Sequence, residues 1–271
     1  MAIASMDQLI AGMIRYPRLM GKDSATAKAA GIQHTNWYQT GALGAGVAPT
    51  GALNGATFTG VTTGAPAVPL AVTSLTSNLA KWTGTQAGNI GGAWLIDKQW
   101  GNVPVVTTTG AQAIVSPTWV ARDETASTNG VGVFLALECS ATTGNAGAIT
   151  NTTVSYTNSS GTAGRTATLA SFPITGVTGT WVMFSMQAGD VGVRSVQSIT
   201  LGTSYVSGQV HLVAFRLIAE LGTPTNNVIA DAAFTRLNMP VVWDNSVLQV
   251  VYEVVGTALG TWRSSVYFAQ G

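Results

Sequence analysis

Residues 149–172 read ITNTTVSYTNSSGTAGRTATLASF. Two runs rich in Thr, Val, Tyr and Leu flank NSSGTAG (158–164), in which Gly161 and Gly164 can take the positive φ that a tight reversal needs. This is a β-hairpin signature, and the runs around it follow the same rule. VGVFLALEC (131–139) is almost wholly apolar, as a strand covered on both faces would be. TWVMFSM (180–186), VRSVQSITL (193–201) and QVHLVAFRL (209–217) are short, rich in β-branched and aromatic residues, and bounded by Gly, Asn and Pro. In VLQVVYEVV (247–255), Leu248, Val250, Tyr252 and Val254 fall on one face while Gln249 and Glu253 fall on the other. TWRSSVYFAQG closes the chain as a last strand. The expected fold is mainly β: an antiparallel, jelly-roll-like β-sandwich of about eight strands over residues 103–271.

Residues 1–102 read differently, as an N-terminal arm with short helices. Ser5, with Gln8 three residues on, resembles a capping box, and Ser24 precedes the Ala-rich ATAKAA that Gly31 would end. AGNIGGAWLIDKQWG (87–101) has apolar spacing compatible with a short helix, and TNNVIADAAFTRL (225–237) places Ile229, Ala232, Ala233 and Leu237 on one stripe. Between these, GALGAGVAPTGALNGATFTGVTTGAPAVPL (41–70) belongs to a segment from Ala29 to Ala80 without one Asp, Glu, Lys or Arg. Gly and Pro favour an extended, irregular path there. The expectation is an arm folded by its neighbours, with Trp37, Tyr38, Phe58, Trp82, Trp94 and Trp100 as interface anchors. The plainer alternative is that these aromatics pack on the chain's own β domain. A covered aromatic buries about 150–250 Å², so either use stabilises substantially.

Of the 271 residues 46% are hydrophobic but only 8% are charged, against about 25% in typical domains. A lone monomer with so few charges risks precipitation, so the composition points to a subunit of an assembly. Net charge is +1 and the basic residues are scattered, which argues against nucleic acid or an anionic membrane as partner. The single cysteine, Cys139, rules out an internal disulfide. In MAIASMDQLIAGMIRYPR the basic residues follow the apolar run, the reverse of a secretory signal, and no run of 18 apolar residues suggests a membrane helix. The expected place of synthesis is the cytoplasm, without export.

The search for chemistry returns little. His34 and His211 are the two histidines; neither has metal-spaced partners, and His211, with Val213 and Phe215 on its face, reads as a satisfied buried side chain. Cys139 reads as a small buried hydrophobe. No nucleophile elbow, P-loop or complete G-x-G-x-x-G occurs. Paired carboxylates could serve glycosidase chemistry, but Asp123-Glu124 in WVARDETASTNG reads as a solvated turn and Asp190 in QAGDVGVR as a turn residue. The expectation is no enzyme, no catalytic residue, no metal and no cofactor.

The blocks ARDETASTNGVGVFLALECSATTGNAG, ITNTTVSYTNSSGTAGRTATLASFP and QAGDVGVRSVQSITLGTSYVSGQVHLV, within residues 121–213, resemble a group of structural proteins of tailed bacteriophages. The resemblance covers about a third of the chain well and carries no catalytic motif. It implies a virion component on the phage head surface: a capsid decoration (cement) protein, a homotrimer bridging subunits of the major capsid protein. The alternatives are a tail fibre or baseplate adaptor and a receptor-binding β domain, for which glycan binding by Trp119, Trp181 or Trp243 would speak.

Overall fold

The computed structural model describes all residues except 1–2, 15, 24–27, 29, 61–63, 67–74, 88–89, 223–226, 234–238 and 257–260. Its elements begin with α1 (Met6–Gly12), β1 (Arg18–Leu19), β2 (Lys22–Asp23), β3 (Ile32–Thr35), β4 (Thr40–Gly41) and β5 (Ala56–Thr57). Then come β6 (Ser77–Ala87), β7 (Ile90–Gly101), β8 (Ala111–Ala113), β9 (Val133–Ala141), β10 (Thr153–Asn158) and β11 (Arg165–Leu169). The rest are β12 (Thr180–Ser185), β13 (Val193–Thr200), β14 (Gln209–Gly222), β15 (Ala230–Ala233), β16 (Leu248–Val254) and β17 (Thr261–Gln270).

The hairpin forms as its sequence predicts. β10 and β11 pair antiparallel from Thr153↔Thr168 to Tyr156↔Arg165, and Gly161 (φ 86°) and Gly164 (φ 72°) take the left-handed turn positions. Following neighbours outward gives the order β7-β14-β9-β12-β11-β10-β13-β8. The path doubles back where β11 and β12 share two residue pairs, Thr168↔Ser185 and Leu169↔Phe184. The two halves, β7-β14-β9-β12 and β8-β13-β10-β11, are the two sheets of an eight-stranded jelly roll. Alternation fills its core: Val133, Leu135, Leu137 and Cys139 from β9 meet Val154 and Tyr156 from β10, Val196 and Ile199 from β13, and Val210 and Leu212 from β14. On the opposite face of β9, Ala136 and Glu138 are also fully buried. The near-continuous apolar run at 131–139 was the signal for that double cover.

The chain divides into two compact units: residues 48–58 with 98–217, and residues 1–47 with 59–97 and 218–271. The division falls within β7 and β14. The expected division is a single boundary at 102/103, with an arm before it. Instead, the second unit is itself built of strands. Its six-stranded sheet runs β15-β6-β17-β2-β4, with β1 beside β17. β16 lies between β3 and β7 in the other sheet. Trp82 from β6, Leu95 from β7, Val250 and Tyr252 from β16, and Trp262 and Phe268 from β17 share one core cluster. The alternation in 247–255 was legible; its partners, more than 150 residues upstream, were not.

Two helix expectations are corrected. Residues 90–101 form a strand because β16 pairs along them from Asp97 to Ile90, which satisfies the backbone and puts Ala93 and Leu95 in the core. Within 225–237, Ala230–Ala233 is a strand on β6, with Ala232 opposite Trp82; residues 234–238 lie outside the described ones. The expected helix at 24–30 lies largely outside them too. At α1 the expectation holds: the Ser5 hydroxyl accepts from the Gln8 amide, the Gln8 side chain accepts from the Ala4 amide, and Leu9 is buried.

Candidate functional site

The uncharged stretch, where interface residues were expected, is anchored on its own chain at several points before residue 60, with Val47 left exposed. Gly46 lies so close under Trp37 that a Cβ there would sit 2.1 Å from the indole ring, and the Trp37 indole N–H donates to the Val47 carbonyl at 2.8 Å. Gly55, at φ +69°, packs in the same way against Trp100, whose N–H donates to the Asn54 carbonyl at 3.1 Å. Asn102 donates to the Leu53 carbonyl, and the Val115 amide to the Asn54 side chain. Lys22, itself buried, donates to the carbonyls of Gln39 at 3.1 Å and Gly44 at 2.5 Å. Burial pushes its pKa down to about 8.

Of the six proposed anchors, Trp37, Phe58, Trp82 and Trp100 are therefore buried in their own units, and Tyr38 and Trp94 are half-buried. Trp82 packs on Trp262 and Trp100 on Trp119, at centroid distances of 6.0 and 5.4 Å. Trp119 and Trp181 are buried as well, which leaves Trp243 the more exposed of the three tryptophans considered for glycan contact.

The polar side chains gather on the outer face of β9. Lys98 Nζ and Glu138 Oε2 stand 2.5 Å apart with no solvent exposure, and the ammonium lies 4.9 Å from the centre of the Phe58 ring. Burial lowers the Lys98 pKa while the Glu138 carboxylate opposes it. Glu138 pairs across to Trp181 on one side and His211 on the other. His211 Nε2 meets the Ser140 hydroxyl at 2.6 Å and Nδ1 meets the Asn102 carbonyl at 2.8 Å. Burial pushes the His211 pKa down to about 4, against the opposing pull of the Asn102 carbonyl and Glu138. The ring is neutral at pH 7, with both nitrogens engaged, as expected of a satisfied core histidine. Arg122 ties the same region by donating to the carbonyls of Phe58 and Lys98. A buried pair of this kind is costly to desolvate, and losing one partner strands the other charge. The cluster is a structural clamp.

The two acidic loops have the same character. Asp123 is not a solvated turn residue: it is buried and accepts from the amides of Thr125, Ser127, Gly130 and Val131. Burial raises its pKa, but bonds from Ser127 and Thr125 outweigh that and hold it low. Glu124 beside it is exposed. Asp190 accepts from Arg165 at 2.9 Å, from Asn158 at 2.7 Å and from the Tyr156 hydroxyl, and Arg165 first among these holds its pKa down to about 2. It fastens the hairpin. Cys139 is buried. Among the described residues, no three His, Cys, Asp or Glu side chains stand close enough to hold a metal, and no helix is long and apolar enough to cross a membrane.

What sequence reasoning missed lies at the other end of the chain. Met6, Ile10, Met13, Tyr16 and Leu19 are 52%, 65%, 38%, 78% and 61% exposed. The backbone carrying them is fixed along β17: Met13 bridges Ala269, the Ile14 amide donates to the Phe268 carbonyl at 2.9 Å, and Leu19 pairs with Ser265. Gly12 packs so tightly that a Cβ would stand 2.3 Å from the Gln270 carbonyl oxygen. Spacing does not mark them: Leu9, which α1 buries, lies three residues from Met6 and so on the same side of the helix, and Met13 already caps it.

The fold and this surface define an antiparallel jelly-roll protein with exposed apolar side chains at Met6, Ile10, Met13, Tyr16 and Leu19. Comparison with known protein families, with curated proteins and with solved structures returns no match.

Proposed function

We propose that the chain is a non-enzymatic structural subunit of a virion, a decoration (cement) protein that braces a tailed-phage head by bridging major capsid subunits. The observation that carries this reading is the exposure of Met6, Ile10, Met13, Tyr16 and Leu19 on a molecule with 8% charged residues. Side chains placed so are stabilised by a partner's cover. The phage-protein resemblance of residues 121–213 supplies the kind of partner. A jelly roll is compatible with it, since that architecture recurs in viral shells, although fold alone does not fix function. The clamp at Lys98–Glu138 and the satisfied His211 favour a scaffold over an active site.

The magnitudes also favour multiple copies. Covering five half-exposed apolar side chains contributes roughly 5 kcal/mol, whereas association costs about 4–15 kcal/mol in lost freedom. One such patch holds weakly; a homotrimer presenting three to a capsid lattice would hold through avidity. The capsid contact is assigned to residues 6–19, because Trp37, Phe58 and Trp100 are buried within the chain while Ile10, Tyr16 and Leu19 are bare.

The test is copy number and dependence. Virions of the parent phage should carry the protein in hundreds of copies, and purified heads stripped of it should rebind the full chain but not Ile10→Asp/Tyr16→Asp. A handful of copies per particle would place it in the tail.

A further inference from the structure

On the outer face of the β3-β16-β7 sheet a cleft of about 120 Å³ opens over Gly91 and Gly92. Its walls come from strand register. Glu253 on β16 stands opposite Gly92 on one side and opposite Gln33 of β3 on the other. Glu220 of β14 lines the far edge, and the Leu221 carbonyl oxygen lies 3.7 Å from where a Gly92 Cβ would be. Trp94 follows Gly92 by two positions, so its half-buried indole rises from the same face. Glu220 and Glu253 are both exposed. The floor is thus bare backbone, with an indole at one end and two carboxylates and an amide around it.

We propose that this cleft is a subsite for one sugar ring of a neutral glycan chain. The assignment rests on which ligand would use every wall. A pyranose offers a flat C–H face for the indole and several hydroxyl donors for carboxylates, where charge-assisted bonds are the strong kind. Gln33 can both donate and accept. Anionic ligands are disfavoured, because among the described residues no basic side chain lines the cleft. A simple cation would use the carboxylates but little of the floor, and exposed charges are screened to under about 1 kcal/mol each. Ligand pockets that enclose a whole small molecule run to about 300–1,000 Å³; this one covers a single ring, so its natural ligand is a unit within a polymer. The inference does not depend on the capsid reading, since glycan binding at this cleft is testable on the isolated chain.

The experiment titrates the full-length protein with methyl glycosides of glucose, galactose, mannose and N-acetylglucosamine, followed by ligand-observed NMR. Binding of at least one in about the millimolar range, insensitive to added salt, is expected. Trp94→Ala and Gly92→Val should each weaken it by about tenfold or more. Gly92→Val is the decisive variant: a Cβ there meets only ordinary van der Waals contact, so the cleft fills while the fold stands, as an unchanged thermal unfolding curve would verify. No binding by any of the four, or binding that survives Gly92→Val, overturns the proposal. So does binding of tetramethylammonium in place of the glycosides with loss in high salt, which would make the cleft a cation site.

Discussion

Residues 41–60 and residues 6–19 exchange the roles their compositions suggest. The first stretch carries no charge and many glycines, yet its backbone carbonyls and glycine surfaces are taken up by Trp37, Lys22, Trp100 and Asn102. The second contains a charged, well-capped helix and looks self-sufficient, yet leaves Ile10, Tyr16 and Leu19 largely bare. Lack of charge does not mean lack of partners within the chain. Glycine can mark a close approach of backbone to an aromatic plane as readily as a flexible path.

The largest effect should come from removing residues 31–92. A dispensable arm would leave a soluble β domain; here the deletion removes β3, β6 and the start of β7 together with Trp37 and Trp82. The expected outcome is loss of cooperative folding, read as missing near-ultraviolet circular dichroism and aggregation. Next come single glycines in the packed stretch. Gly46→Val drives a side chain into Trp37, and Gly55→Val adds a strained φ of +69° to a 2.4 Å clash with the Gly101 carbonyl oxygen. Each should lose about 3 kcal/mol or more in denaturant unfolding; a loss under about 1 kcal/mol would mean the stretch is loosely held.

Lys22 gives a finer reading of the same region. Its folded pKa of about 8 lies below the ordinary value of 10.5, so between those values the unfolded chain binds more protons. This contribution to stability therefore rises with pH from about 8 and levels off above 10.5. Screening reduces it to roughly 1–2 kcal/mol. Comparing wild type with Lys22→Met at pH 7 and pH 10 isolates it: the gap should widen in favour of wild type at the higher pH, and an unchanged gap would mean the ammonium is solvated. Smallest of all, Ile10→Ser and Tyr16→Ser should shift stability by no more than about 0.5 kcal/mol, because these side chains touch little. If either destabilises the monomer strongly, the bare face is part of the core.

Local periodicity carried most of the fold. The 153–169 hairpin, the doubly covered run at 131–139 and the two-faced 248–254 strand were legible because alternation and turn chemistry are properties of neighbouring residues. Strand β7 was misread since Trp94, Leu95 and Lys98 also fit a helical spacing, and β15 since Ile229, Ala232 and Ala233 do. In both, pairing with a strand more than 100 residues away decided the matter. The second unit escaped notice for the same reason: its strands come from both ends of the chain. Of the candidate anchors, Trp37, Phe58, Trp82 and Trp100 are covered within their own units, because an indole's need for cover does not say whose surface supplies it. The bare side chains of residues 6–19 were not legible, since helical spacing sets the buried Leu9 beside the exposed Met6.

The most direct measurement is an electron-microscopy reconstruction of the intact particle at side-chain detail. The account predicts jelly rolls seated on the head with Met6, Ile10, Tyr16 and Leu19 against major capsid subunits. A shell without this protein, or copies docked with those four side chains turned to solvent, would contradict it.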